Sequence, residues 1–302
     1  MTTNSSVAPP LSVVVTTTHP WPSAQGCLDR LCPQATAVGA ELILVDSTGR
    51  GLPDPRPQSY SNVRWLHVPG ASVFELRARA AAAATGAIVG FTEDHCRPSR
   101  DFVRLHIQAH QRHSGAMVVG GAVLNGSPGS LLDWASYLLT FGPFLPPIRP
   151  GRMRRAATGA NVSFKRHAVN AHVAETGWIE FVLQPRLLAA GQVVFDDAIL
   201  VRHLQSKGPG TFALHFHSGR SAAGLTAAGS TLPLRILRLG WSLTLPLRML
   251  ASACPGPLAN PAYRWRALRS LPWMAALAVC HSAGVFSGLL LKGAGRSPHL
   301  LE

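Results

Sequence analysis

Three adjacent ionisable residues, Glu93, Asp94 and His95, follow an apolar run from Ala87 to Phe91, with Thr92 between. Carboxylate oxygens and an imidazole nitrogen gathered at one point can ligate Mg²⁺ or Mn²⁺, and such ions in turn hold phosphates. A solvated turn after a strand would have the same composition. If the chain is still extended there, Glu93 and His95 share a face and Asp94 points the other way. Other candidates lie further off. Asp46 closes the apolar run ELILV and could accept hydrogen bonds from a ribose or base, or simply shape a turn. Arg77 and Arg79 sit in an alanine-rich stretch, where one of them could reach a diphosphate. Glu180, two residues after Trp178, could serve as a general base with a raised pKa. An acid there could equally stabilise a helix amino terminus. His203 ends an apolar run and could be a further metal ligand or a structural histidine.

These residues need a frame that brings strand ends together. Residues 11–16 (LSVVVT), 41–45 (ELILV) and 63–68 (VRWLHV) read as strands. So do residues 87–91, 116–124 and 192–203. Between them, residues 23–38, 74–85 (FELRARAAAAAT) and 100–112 have helical character. Gly86 separates the alanine-rich helix from the strand that leads to Glu93. Residues 175–191 form a further helix candidate, with acids at its start and Gly191 at its end. Alternation of strands and helices predicts an α/β fold with a mostly parallel sheet. Ligands of such sheets bind at the carboxyl ends of strands, where Asp46 and Glu93 stand.

The chain has 302 residues, 47% hydrophobic and only 14% charged. That charged share is low for a wholly water-facing surface. Lys and Arg number 28 against 14 Asp and Glu, an excess that favours an anionic partner. No aromatic stacking pattern interleaves the basic residues, so no nucleic-acid partner is expected. Five scattered cysteines make neither a disulfide framework nor a zinc knuckle. Residues 1–10 are polar, lack a signal pattern and are expected to be disordered. The last third is different. Residues 232–254 and 271–291 are long apolar segments, and the second contains Gly284-x-x-x-Gly288. Arginines flank these segments on both sides, which suits helices lying on an anionic leaflet better than a transmembrane hairpin.

The motifs, taken in order, resemble glycosyltransferase family 2, the inverting nucleotide-sugar transferases of the GT-A fold. The resemblance spans residues 11–205. Leu44-Val45-Asp46-Ser47 is similar to the family's VDDGS region, and Arg77 to Gly86 to its RNxGxxxAxG helix. Phe91-Thr-Glu-Asp-His95 stands where the family has FLDDD, with Glu93 and His95 at the ends of the DxD metal motif. Gly159-Ala-Asn161-Val-Ser-Phe-Lys-Arg166 is similar to GGNxSFRR, and Trp178-Ile-Glu180 falls on the catalytic Glu-Asp.

The resemblance implies a Rossmann-like GT-A domain over residues 11–220, and the apolar composition beyond it a carboxyl-terminal helical region over 221–302. It implies Glu180 as catalytic base. Thr16, Asp46, Arg77, Glu93 and Asp94 would bind the donor. Glu93, His95 and His203 would hold Mg²⁺ or Mn²⁺, and Asn161 and Trp178 would line the acceptor side. Partners would be a nucleotide-sugar donor and a glycan or lipid-linked acceptor, and the apolar segments with their flanking arginines add the anionic cytoplasmic face of a membrane. The chain departs from the family pattern. Glu-x-His replaces DxD, Ala78 and Ala80 replace the helix Asn and Gly, and Phe181 replaces the Asp after the catalytic Glu. A catalytically degenerate, membrane-attached nucleotide-sugar binding protein or scaffold is the alternative.

Overall fold

The computed structural model describes residues 8–48, 58–148, 151–152, 155–170, 179, 183–204, 208, 210–227 and 230–291. The chain falls into two compact units, one of Met1–Val123 with Pro146–His203, the other of Leu124–Leu145 with Leu204–Glu302.

The first unit is built on a nine-stranded sheet. In chain order its strands are β1 (Leu11–Thr17), β2 (Glu41–Asp46), β3 (Val63–His67), β4 (Ile88–Glu93), β5 (Cys96–Pro98), β6 (Val118–Asn125), β7 (Gly151–Arg152), β8 (Val162–Lys165) and β9 (Val193–His203). Their order across the sheet is β3-β2-β1-β4-β8-β6-β9-β5, with β7 also beside β9. The β3-β2-β1-β4 half is parallel, as the alternation of elements predicts. The other half is antiparallel: β8 pairs with β4 and β6, and β9 with β5 and β7. The sheet is therefore mixed. Strand β1 is buried along its whole length, which its Val13-Val14-Val15 run suits.

Helix α1 (Gln25–Val38) buries Cys27, Leu28, Leu31, Cys32 and Ala35, one stripe at helical spacing. It ends at Gly39, whose φ of 65° needs a glycine and whose amide caps the carbonyls of Ala35 and Thr36. Helix α2 (Val73–Ala83) begins at a capping box between Ser72 and Glu75. Its Leu76, Ala80 and Ala81 pack into a core with Val14, Ile43 and Phe91. The small alanine side chains let this helix lie close over the parallel strands. A close approach recurs at Gly86, where any Cβ would come within 2.5 Å of the Ser12 amide nitrogen. Helix α3 (Phe102–Arg112) turns His106 and His110 inward.

The second unit is helical in its described residues. It comprises α4 (Leu131–Phe141), α6 (Gly210–Ala227), α7 (Leu232–Leu243), α8 (Leu245–Ala253), α9 (Pro255–Ala259) and α10 (Arg264–Leu290). A short α5 (Gln184–Ala189) belongs to the first unit. Helix α10 packs on α6 through glycine. A Cβ on Gly219, Gly284 or Gly288 would collide with a carbonyl oxygen of the opposite helix. The Gly284-x-x-x-Gly288 pattern thus marks a contact between backbones. Helix α10 is long and apolar enough to cross a membrane by length and composition alone. The other apolar segment is not one helix. It breaks into α7 and α8, of 12 and 9 residues, each with a proline in its first turn. At 1.5 Å per residue these reach about 18 and 14 Å, well short of the roughly 30 Å of a bilayer core. Among the described residues, α10 is thus the one helix of spanning length.

Candidate functional site

The register of the parallel strands sets out the site. Thr17 pairs with Asp46 across β1 and β2, and Thr16 with Glu93 across β1 and β4. Asp46, the two threonines and Glu93 thus stand in one row at the carboxyl ends of three neighbouring strands. Beyond Glu93 the chain turns within two residues, Asp94 and His95, and enters β5. The strand does not continue, so a shared strand face does not explain how Glu93 and His95 meet. The turn does. Strand β5 pairs antiparallel with β9, and Cys96 lies opposite His203. This ladder brings His203 to the turn from 110 residues along the chain.

Glu93, His95 and His203 converge. His203 Nε2 is 3.0 Å from Glu93 Oε2 and 2.8 Å from His95 Nε2, and His95 Nε2 is 3.3 Å from Glu93 Oε2. The other oxygen of Glu93, Oε1, accepts from Arg77 Nη2 at 2.7 Å. Arg77 is buried, and its guanidinium lies against Gly159, where a Cβ would strike it. In the structure Arg77 therefore holds Glu93.

Asp94 is buried and fully engaged. Its Oδ2 accepts from Thr17 Oγ1 at 2.7 Å and Ser23 Oγ at 2.8 Å, and lies 3.0 Å from His19 Nδ1. Its Oδ1 accepts from the His95 amide at 2.8 Å and lies 2.6 Å from His95 Nδ1. The structure thus gives Asp94 the task of orienting His95, where the sequence suggested donor contact. Thr17, His19 and Ser23 were not singled out from sequence. Their only signal was a polar loop after the first strand.

Burial by itself would raise the pKa of Glu93, but hydrogen bonds from His203 and His95 and the charges of His95 and Arg77 hold it well below the usual carboxylate range. Burial likewise opposes ionisation of Asp94, and hydrogen bonds from His19 and His95 outweigh it. Burial would lower His95, yet its bonds to Asp94 and Glu93 push it up to about 10. Burial and the charge of His95 lower His203, against the pull of Glu93. The two ionised carboxylates are thus each matched by a cationic partner, Glu93 by Arg77 and Asp94 by His95.

Beside it, Thr17, His19, Trp21, Ser23, Ala24, Leu44 and Asp46 line a cleft. Asp46 is buried, its Oδ1 accepting from the Thr48 amide at 2.8 Å, with His67 Nε2 4.0 Å from Oδ2. The Trp21 ring lies 5.5 Å from Tyr60 and 5.9 Å from Trp65, centroid to centroid. Thr16 is buried and donates to the Thr92 carbonyl. Asn161 is wholly buried, and its amide nitrogen donates to the Ala122 and Ile199 carbonyls at 2.8 and 3.0 Å. It braces two strands. Glu180 and Trp178 lie outside the described residues.

No protein-family model and no curated protein matches the sequence. Solved structures do match the fold. A mannosyltransferase from Pyrobaculum calidifontis, solved with GDP-Man and Mn²⁺, is 15% identical with a TM-score of 0.52. The alignment covers 91% of this chain and 88% of that one. The fold is GT-A. S. aureus TarS (residues 1–349) is 10% identical over 90% of each chain, with a TM-score of 0.48. Glucosyl-3-phosphoglycerate synthase from Mycobacterium tuberculosis is 18% identical over 66% of this chain and 72% of that one, with a TM-score of 0.40.

The GT-A frame raises the question of whether a divalent ion fits here. The three convergent atoms, Glu93 Oε2, His95 Nε2 and His203 Nε2, are 2.8–3.3 Å apart. Donors at right angles around an ion, with bonds of about 2.1 Å, stand about 3 Å from one another. The donor set therefore fits an ion. The outer bond of His95 to Asp94 is the support a ligating histidine usually has.

Proposed function

We propose that this chain transfers a sugar, with inversion, from a nucleoside-diphosphate donor to a hydroxyl acceptor. One observation carries the reading: in a GT-A sheet, Glu93, His95 and His203 converge at the strand ends next to a cleft floored by Asp46. The nucleoside would occupy that cleft, with Asp46 accepting a hydrogen bond and Trp21 offering an apolar ring face. Glu93, His95 and His203 would hold the divalent cation, which supplies positive charge to a departing diphosphate. Arg77 keeps Glu93 ionised and aimed. Glu180 would take the proton from the acceptor hydroxyl as that oxygen bonds to the anomeric carbon and the bond from this carbon to the diphosphate oxygen breaks. Trp178 would sit on the acceptor side, and Asn161 supports that side by fixing the strands beneath.

The acceptor in this reading is a glycan or lipid-linked hydroxyl at the cytoplasmic face of a membrane. Leu232, Ile236, Leu237, Trp241, Leu243 and Leu247 of α7 and α8 are exposed. No acidic residue occurs between Asp197 and Glu302, while arginines recur throughout that region. Apolar side chains among uncompensated arginines suit an anionic lipid surface.

A thermal-shift panel of nucleotide sugars, with and without Mn²⁺, tests donor binding directly. The expected result is stabilisation by one nucleotide class, greater with the ion. Stabilisation by none would remove the proposal. Donor binding without any hydrolysis or transfer would favour the scaffold reading. For the membrane, recovery of the whole protein in the soluble fraction without carbonate or high salt would exclude attachment.

A further inference from the structure

The helical unit is built inside out. Among the described residues, every exposed large apolar side chain lies between Leu214 and Leu291, and the first unit has none. Helix α7 turns Leu232, Ile236, Leu237 and Trp241 outward, while its buried residue is Ser242. Helix α10 shows the same reversal. Its buried face is mostly small or hydroxyl-bearing, with Ala267, Ser270, Ala278, Ser282, Gly284 and Gly288. Trp265, Leu268, Val279, Phe286 and Leu290 are exposed on the opposite face, and exposed Trp273 borders it. A surface helix in water does the reverse, burying its apolar stripe. Helices in lipid meet through small residues and hydroxyls, because hydrocarbon covers leucine as well as a protein core does. The Ser282 hydroxyl accordingly donates to the Ser242 carbonyl, joining α10 to α7.

The arginines complete the pattern. Arg235 and Arg238 share one side of α7 with the buried Ser242, away from the leucines. There Arg235 donates to the Leu289 and Leu290 carbonyls, and Arg238 to Ser230 Oγ. On α10, Arg264, Arg266 and Arg269 are exposed and confined to the first two turns. Residues 270–290 carry no Asp, Glu, Lys or Arg. We propose that the outward faces of α7 and α10 are immersed in the acyl-chain layer of an anionic bilayer, with Arg264, Arg266 and Arg269 at the level of the lipid phosphates. The inference rests on the membrane attachment already proposed, for which headgroup contact alone would suffice, and on no step of sugar transfer. A second copy of the chain is the poorer occupant. Two such faces would bring together arginines that no acid between Asp197 and Glu302 offsets.

The test mixes the full chain with vesicles of phosphatidylcholine and phosphatidylglycerol, with or without bromine midway along the acyl chains. Binding should survive high salt and alkaline carbonate and be reversed by detergent. Bromine quenches indole on contact, so the brominated vesicles should dim the tryptophan fluorescence. Trp241→Phe combined with Trp273→Phe should cut that loss at least two-fold. Ile236→Glu combined with Leu237→Glu should weaken vesicle binding at least ten-fold while circular dichroism stays unchanged. Release of the unmodified protein by high salt alone would overturn immersion and leave headgroup attachment standing. Absence of binding to any vesicle would overturn both. A soluble dimer that detergent splits, seen by light scattering, would put a second copy in the place of lipid and overturn the inference. If immersion holds while no nucleotide sugar binds, the inference stands and the transferase proposal falls.

Discussion

His95 and His203 bring their Nε2 atoms to 2.8 Å, although 108 residues separate them. Their meeting depends on one ladder, in which β9 places His203 across from Cys96. His203 is buried. His203→Ala should therefore lower Mn²⁺ affinity at least ten-fold while far-ultraviolet circular dichroism stays unchanged. An equal affinity would exclude it as a ligand.

Asp94 acts through His95. Asp94→Asn would keep the shape but replace an acceptor oxygen by a donor amide facing Thr17, Ser23 or the His95 ring. Loss of an outer-shell partner usually costs about 10- to 100-fold in metal affinity. That range is expected here for Mn²⁺, and binding of nucleotide alone should change by less than two-fold. Isothermal titration of each ligand separates the two effects.

Arg77 and Glu93 form a mostly buried pair. Removing one partner of a buried pair typically costs about 3–5 kcal/mol, since the other charge is left in low dielectric. Arg77→Met should lower stability by an amount of that order in urea titration. Addition of a cation that binds Glu93 should recover part of the loss, which a purely packing role for Arg77 would not allow.

His106 and His110 give the first unit an acid limit. Both imidazoles reach Ser163 Oγ, at 2.8 and 3.0 Å. Burial, followed by the charge of His110, pushes His106 down to about 3. Burial and the nearby Lys165 charge push His110 down to about 4. An unfolded histidine titrates near 6.5. Between about pH 6.5 and 4 the unfolded chain therefore takes up protons that the native chain refuses. The stability held by these neutral histidines is complete above about pH 6.5 and falls as the pH drops toward 4. Melting temperature should decline through that window, and less steeply in His110→Gln.

In the helical unit, Gly284 admits no side chain, because its Cβ position is occupied by the Phe216 carbonyl. Gly284→Leu must push α10 off α6. A fall in melting temperature of several degrees is expected, whereas Gly240→Ala, in open space on α7, should leave it within one degree.

Much of this arrangement can be read from the chain. The parallel half is visible because each strand is a local apolar run that ends in a polar residue, as at Asp46 and Glu93. The second helix is visible in its alanines and in the Ser72–Glu75 box. What escapes is whatever depends on pairing at long range. That Arg77 would meet Glu93 could not be read from a helix whose arginine might equally face solvent. Asp94 is locked by Thr17, His19 and Ser23, which lie more than 70 residues earlier. The break of residues 232–254 into two helices rests on Pro246 near Thr244, a local cue outweighed by the apolar composition around it.

The two-residue turn at Asp94 and His95 also bears on the order of folding. The parallel strands β1, β2 and β4 can assemble from the first third of the chain, and Glu93 and Asp94 come with them. His203 arrives only when β9 docks on β5, across a loop of 110 residues. A half-folded chain owns the acids but not the second imidazole. If the centre holds an ion as proposed, acquisition of ion binding during refolding would report the docking of β9 on β5, and the ion would act as a clasp on that long-range pair.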